Sequence, residues 1–194
     1  MIYKTSELKI LFKDFYWFKK AIDEGVYYKI GHGLYSDSDP TICELEILFA
    51  QYPGAILTME SAFAYYELSD YVPDKYYVST GQNAHKILNP KFKQIYTTNA
   101  IQNIGKQTIE TKYGHINIYD KERMLIELFR NKTKLDYAYF KEVANCYRDL
   151  FKQNKLDYNK LINYCSMFKN GSKIKREIQD IILWKPLKKW LKNG

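Results

Sequence analysis

Asp74, Glu110 and Lys112 spell the loose P-D…(D/E)-x-K pattern of a metal-dependent nuclease, because Pro73-Asp74 is followed by Glu110-Thr111-Lys112. In such a site two carboxylates hold Mg²⁺ and the lysine steadies the attacking hydroxide. The pattern is short and common, and an aspartate after a proline serves a turn equally well, so this nuclease stands as the alternative to a non-catalytic reading. Ser36-Asp37-Ser38-Asp39 presents a D-x-D pair like that of a nucleotidyltransferase, but no Gly-Ser helix start precedes it and Asp39 is placed to cap a helix. No G-x-x-x-x-G-K-[ST], no G-x-S-x-G and no cysteine with a plausible histidine partner occurs, which leaves NTP hydrolysis and covalent catalysis without support. Cys43, Cys146 and Cys165 are an odd, scattered set with no C-x-x-C pair and read as small buried residues. His32, His85 and His115 fall at no metal-ligand spacing. The expectation is a protein that is not an enzyme, with no catalytic residues, no metal and no cofactor.

The residue types that do point to a ligand are cations interleaved with aromatics. The formal charge is +8, divided unevenly: residues 1–80 carry 7 Lys+Arg against 12 Asp+Glu, and residues 81–194 carry 23 against 10. A surplus of that size on one part of a chain attracts polyanions, since each lysine or arginine that neutralises a phosphate releases condensed counterions. Lysines on outward helix faces also serve solubility alone, so charge by itself does not decide the partner. Near the N-terminus Lys19 and Lys20 stand beside Tyr16 and Trp17, with Lys29 and His32 a little further on. Near the C-terminus Lys169, Lys173, Lys175, Arg176, Lys185, Lys188, Lys189 and Lys192 face only Glu177 and Asp180.

The elements that would position these residues follow from periodicity and caps. Thr5 is a possible N-cap, with Leu8, Leu11 and Phe12 as an apolar edge; Asp14 caps a second helix in which Phe15, Phe18 and Ile22 face inward, and Gly25 ends it. Val26 to Ile30 alternates as a strand, Gly31-His32-Gly33 turns and Leu34-Tyr35-Ser36 returns, so helix, helix and hairpin stand in the order of a winged helix-turn-helix. Asp39-Pro40 starts a helix with Ile42, Leu45, Leu48 and Phe49 as its stripe. Ala55 to Leu57 is a short strand, Thr58 caps a helix with Ala62, Phe63 and Tyr66 inward, and strands follow at 76–80, 92–97, 107–111 and 115–119, with Tyr113-Gly114 as a turn. After Asp120 four helices follow, with Asp136 and Asp157 at cap positions and Gly171-Ser172 ahead of the last. The predicted fold is α+β: an abbreviated winged helix-turn-helix unit at 1–36, and a domain at 37–194 made of a mixed α/β part (37–119) and a helical part (120–194).

Three stretches together resemble the AbiEi family of type IV antitoxins. Lys29-Ile30-Gly31-His32-Gly33-Leu34-Tyr35 looks like the wing of that family's N-terminal winged helix-turn-helix. The run from Tyr52-Pro53-Gly54 through Ser61-Ala62-Phe63 to Ser69-Asp70, with Val72-Pro73 and the strand after it, is similar to its strand, serine-alanine helix, turn and proline-led strand. Tyr119-Asp120-Lys121-Glu122-Arg123-Met124-Leu125 is similar to its E-R-hydrophobic helix start. The order and spacing of the three run through nearly the whole chain. The chain departs from the family in lacking the longer N-terminal helix and an arginine-rich recognition helix.

The resemblance implies an antitoxin of an abortive-infection, phage-defence operon. It would repress its own promoter by binding DNA and oppose a nucleotidyltransferase-like toxin without a tight complex. DNA contacts are expected from Tyr16, Trp17, Lys19, Lys20, Lys29 and His32. The basic surface of Lys169, Lys173, Lys175, Arg176, Lys188 and Lys189 would bind the nucleic acid on which the toxin acts or widen the DNA footprint, and the sequence permits both. No apolar run approaches a membrane span and Met1-Ile2-Tyr3-Lys4 leads into no signal-peptide core, so a cytoplasmic protein is expected.

Overall fold

The computed structural model of the chain describes residues 1–37, 44–112 and 114–183. Helices and strands mix in an α+β fold, as the sequence pattern predicts. The chain divides into two compact units, Met1–Ala55 with Thr108–Asn117, and Ile56–Gln107 with Ile118–Gly194. Residues 1–36 hold a sheet and helix pair of their own, while the compact unit that contains them runs on to Ala55.

In the first unit β1 (Ile2–Lys4), α1 (Thr5–Phe12), α2 (Phe15–Asp23), β2 (Tyr28–Gly31) and β3 (Leu34–Ser36) follow in order, and the strands form a sheet in the order β1-β3-β2. Both pairs are antiparallel, with Tyr3 and Lys29 opposite Tyr35 on its two sides. The first strand is an addition to the expected hairpin: three residues are too few to show alternation, and only the exposed edge of β3 recruits them. Thr5 is not the cap of α1. That position belongs to Lys4, whose N–H donates to the Glu7 carboxylate (2.7 Å), while the Thr5 N–H and hydroxyl both donate to the Gly33 carbonyl (2.9 and 3.2 Å). Gly33 takes φ +68 beside a register shift between Lys29 and Gly31, so a bulged turn closes the β2–β3 hairpin and the start of α1 holds it. Asp14 caps α2 as expected, accepting from the Tyr16 N–H at 2.8 Å. The core is aromatic: Phe18 packs edge-on against Tyr35, and Phe12 against Tyr27. A third helix, α3 (Glu44–Gln51), buries Leu48 and Phe49; its expected start at Asp39-Pro40, with Ile42, lies outside the described residues.

The second unit contains β4 (Ile56–Leu57), α4 (Met59–Tyr65), β5 (Tyr76–Gly81), β6 (Phe92–Thr97), α5 (Asn99–Gln102), α6 (Lys121–Arg130), α7 (Tyr137–Lys152), α8 (Tyr158–Ser166) and α9 (Gly171–Ile178), which runs into a π-turn at Gln179–Leu183. Two further strands, β7 (Lys106–Glu110) and β8 (His115–Tyr119), complete a five-stranded sheet in the order β6-β5-β4-β8-β7. The sheet is mixed, because β4 runs antiparallel to β5 and parallel to β8, and β5 runs parallel to β6 over six residues. Thr58 stands at the N-cap of α4 but does not cap it; its hydroxyl approaches the Met124 sulfur at 3.7 Å. Ser61 instead ties α4 to β5, accepting from the Tyr77 N–H at 2.8 Å. At the centre lies α6, in which every residue from Glu122 to Phe129 is buried. Asp120, Asp136 and Asp157 cap α6, α7 and α8 with their carboxylates. Among the described residues no helix is long and apolar enough to cross a membrane.

Candidate nucleic-acid interface

The six residues expected to contact DNA all belong to the first unit and all are exposed. With Phe18 and Ala21 buried against the aromatic core, the helical repeat turns Tyr16, Lys20 and Asp23 to solvent, with Lys19 and Trp17 on either side of that face. Tyr16 and Trp17 touch edge-to-face at 5.4 Å between ring centres. Lys20 carries its ammonium 5.1 Å above the Trp17 ring and 3.6 Å from the Glu24 carboxylate, so part of its charge is already answered within the helix. Lys29 lies on β2 and His32 at the tip of the bulged turn, which the Thr5 hydroxyl holds through the Gly33 carbonyl.

Periodicity assigned Leu11 and Phe15 to the core, and the structure corrects both. Ile10, Leu11, Phe15, Tyr16 and Trp17 are 78%, 61%, 65%, 64% and 53% exposed. The cause is length, for α1 has eight residues and buries only Leu8, while α2 has nine and buries Phe18 and Ala21. Nothing among the described residues of this unit covers the faces left over. Between the helices Lys13 takes the left-handed conformation at φ 55, and its neighbours in the turn are Phe12 and Asp14. The signal available in the sequence was the run of four aromatics at 15–18, more than one turn of a short helix can bury on a single face.

The second basic group lies in the second unit. Lys169, Lys173 and Arg176 are exposed, with Lys173 and Arg176 three residues apart on the outer side of α9; Lys175 is half-buried. Lys188 and Lys189, with Lys185 and Lys192, lie outside the described residues. Glu177 is engaged by Lys132 at 2.8 Å.

Of the nuclease pattern, Asp74 stands in the turn before β5 in the second unit, while Glu110 ends β7 and Lys112 follows it within the first unit. The strands β5 and β7 are not neighbours in the sheet. Asp37, the described carboxylate of the D-x-D pair, accepts from the Tyr3 hydroxyl at 3.0 Å; Asp39 lies outside the described residues. Among the described residues no group of three His, Cys, Asp or Glu side chains is gathered to hold a metal. Cys146 and Cys165 are free thiols, and burial raises the pKa of both; Cys43 lies outside the described residues. On α2, then, exposed lysines stand beside exposed aromatic rings. No known family model matches the chain, and no curated protein matches it.

Proposed function

We propose that the chain is a non-enzymatic, DNA-binding antitoxin of the AbiEi type. It represses the promoter of its operon through the first unit and opposes a nucleotidyltransferase-like toxin in the same cytoplasm without forming a tight complex. The observation that supports this reading is the order β1, α1, α2, β2, β3 around a β1-β3-β2 sheet, with Tyr16, Trp17, Lys19 and Lys20 outward on the second helix. In a winged helix-turn-helix that helix meets the bases, and lysines there and in the wing set its register on phosphates. Tyr16 and Trp17 are the side chains that reach bases, through edges or thymine methyl groups. The exposed cations of α9 supply further phosphate contacts of the same sequence-independent kind.

The test is a mobility-shift titration of the full chain on the duplex of its own promoter at several salt concentrations, beside a variant with Lys19→Ala and Lys20→Ala. The double variant binds more weakly, and the slope of log K against log salt falls by about 0.9 for each phosphate contact removed. An unchanged affinity and slope would take the DNA contact away from α2. Co-expression with the toxin completes the test: Asp74→Ala with Lys112→Ala is expected to protect as well as the unaltered chain. Loss of protection by that variant, with its fold intact, would establish catalysis in place of this reading.

A further inference from the structure

Beside the duplex contact proposed for α2, the residues exposed around the α1–α2 turn have a chemistry suited to unpaired bases. Major-groove recognition relies on paired donors and acceptors, from arginine, asparagine, glutamine and lysine, aimed at base edges. The helix α2 contains no arginine, asparagine or glutamine. What it offers is three consecutive aromatic rings at 15–17. Base faces in a duplex are stacked on one another and closed to such rings; unpaired bases are open to them. Stacking on aromatic side chains is also indifferent to sequence, because every base has a π-face.

The charges complete the match. Between residues 9 and 20 there are four lysines, Lys9, Lys13, Lys19 and Lys20, all exposed, and one acid, Asp14, whose carboxylate is bound to the Tyr16 N–H. Lys13 is exposed at the turn itself, in a backbone conformation that costs a non-glycine residue about 1 to 2 kcal/mol. Phe15 is anchored from beneath by Phe18, at 6.0 Å between ring centres, which limits the freedom its ring loses on binding.

We infer that the α1–α2 turn is a stacking platform for single-stranded DNA, on which Phe15, Tyr16 and Trp17 take unpaired bases while Lys13, Lys19 and Lys20 take the phosphates between them. The inference rests on the reading that α2 carries the DNA contact, and it names the form of DNA recognised there.

The experiment titrates the full chain with an oligothymidylate of about 15 nucleotides, a length that spans one such site, and with a hairpin duplex and an oligouridylate of matching length. Intrinsic tryptophan fluorescence is the readout, with the Trp17 share taken as the difference between the parent and Trp17→Phe, since Trp184 and Trp190 also emit. The oligothymidylate binds more tightly than the duplex, quenches the emission, and gives a salt slope near 0.7 per phosphate in place of the 0.9 of a duplex. Trp17→Ala and Phe15→Ala each weaken binding roughly tenfold, and Trp17→Phe, which keeps a smaller ring to stack on, weakens it less than Trp17→Ala. These side chains are largely exposed, so circular dichroism of the variants stays that of the parent. Tighter binding to the duplex without quenching would overturn the platform and leave the DNA-binding reading standing. Binding to neither DNA would overturn both. Tighter binding to oligouridylate would transfer the site to RNA, and a Trp17 signal that changes on dilution would show the patch closed by a second protein chain; each of those outcomes overturns the assignment to DNA.

Discussion

Arg123 is fully buried, and its charge is answered by contacts from several directions. Its Nε donates to Glu127 at 2.9 Å, its Nη1 donates to the carbonyls of Ile101 (2.6 Å) and Ile104 (2.8 Å), and the rings of Tyr119 and Phe168 lie 4.3 and 4.7 Å from the guanidinium carbon. Gly105 comes so close that a Cβ there would stand 2.5 Å from the Arg123 Cβ. The ion pair with Glu127 was legible, since arginine and glutamate four apart meet on a helix. The carbonyls were not, because they lie 22 and 19 positions back in the chain and only the fold delivers them. Removing Arg123 leaves Glu127 with only Arg130 and Asn131 to answer it and takes the donor from the Ile101 and Ile104 carbonyls in a buried site. Arg123→Ala is therefore expected to lower the unfolding free energy by about 3 to 5 kcal/mol in urea titration. A loss under about 1 kcal/mol would mean that Arg130 and Asn131 answer Glu127 without help and that the cage is not what closes the centre of this unit.

At the scale of elements, the junction of α8 and α9 shows how a glycine read as punctuation can be a packing residue. Gly171 separates two helices as its sequence position suggests, but the structure adds a reason: a Cβ at 171 would fall 1.6 Å from the Cys165 carbonyl oxygen, backbone that cannot move without unwinding the end of α8. The Gly171 N–H donates to the Phe168 carbonyl at 2.9 Å in the same turn. Gly171→Ala is expected to cost about 3 kcal/mol or more. Gly54→Ala, where an added Cβ meets nothing within 4 Å, should stay within about 0.5 kcal/mol. Equal midpoints for the two variants in chemical denaturation would show that the junction relaxes freely. The aspartate caps were readable because each reaches a backbone N–H only two or three residues away. The exposure of Phe15 was not, because spacing marks which face of a helix is apolar and says nothing of whether another element covers it.

Over the molecule as a whole, the second unit buries phenols that the solvent would otherwise ionise. Burial raises the pKa of Tyr66, Tyr119, Tyr139 and Tyr147 above the ordinary 10.0. The folded state keeps these groups protonated while the unfolded chain releases their protons above pH 10. The stability they contribute is therefore complete below that pH and is lost as the pH rises beyond it. For Tyr119 and Tyr147, buried in full, the loss is about 1.4 kcal/mol per pH unit for each. In an alkaline titration followed by phenolate absorbance, the exposed tyrosines ionise first and a late group appears together with the loss of helical circular dichroism. Ionisation of all the tyrosines in one early step, with the fold retained, would contradict the burial.

The sequence by itself determined what depends on near neighbours: the helices after Asp120 and their apolar stripes, the caps at Asp14, Asp136 and Asp157, the strands at 92–97 and 115–119, and the helix-helix-hairpin order at the start. Hydrogen bonds within a turn and the repeats of helix and strand are local, so spacing reveals them. The tertiary structure alone decided the rest. It recruited Ile2–Lys4 as a third strand, set β5 parallel to β6, enclosed Arg123 and left Ile10, Leu11 and Phe15 in solvent. Each of these depends on which distant segment arrives at a given face or edge, and a one-dimensional pattern carries no record of that arrival.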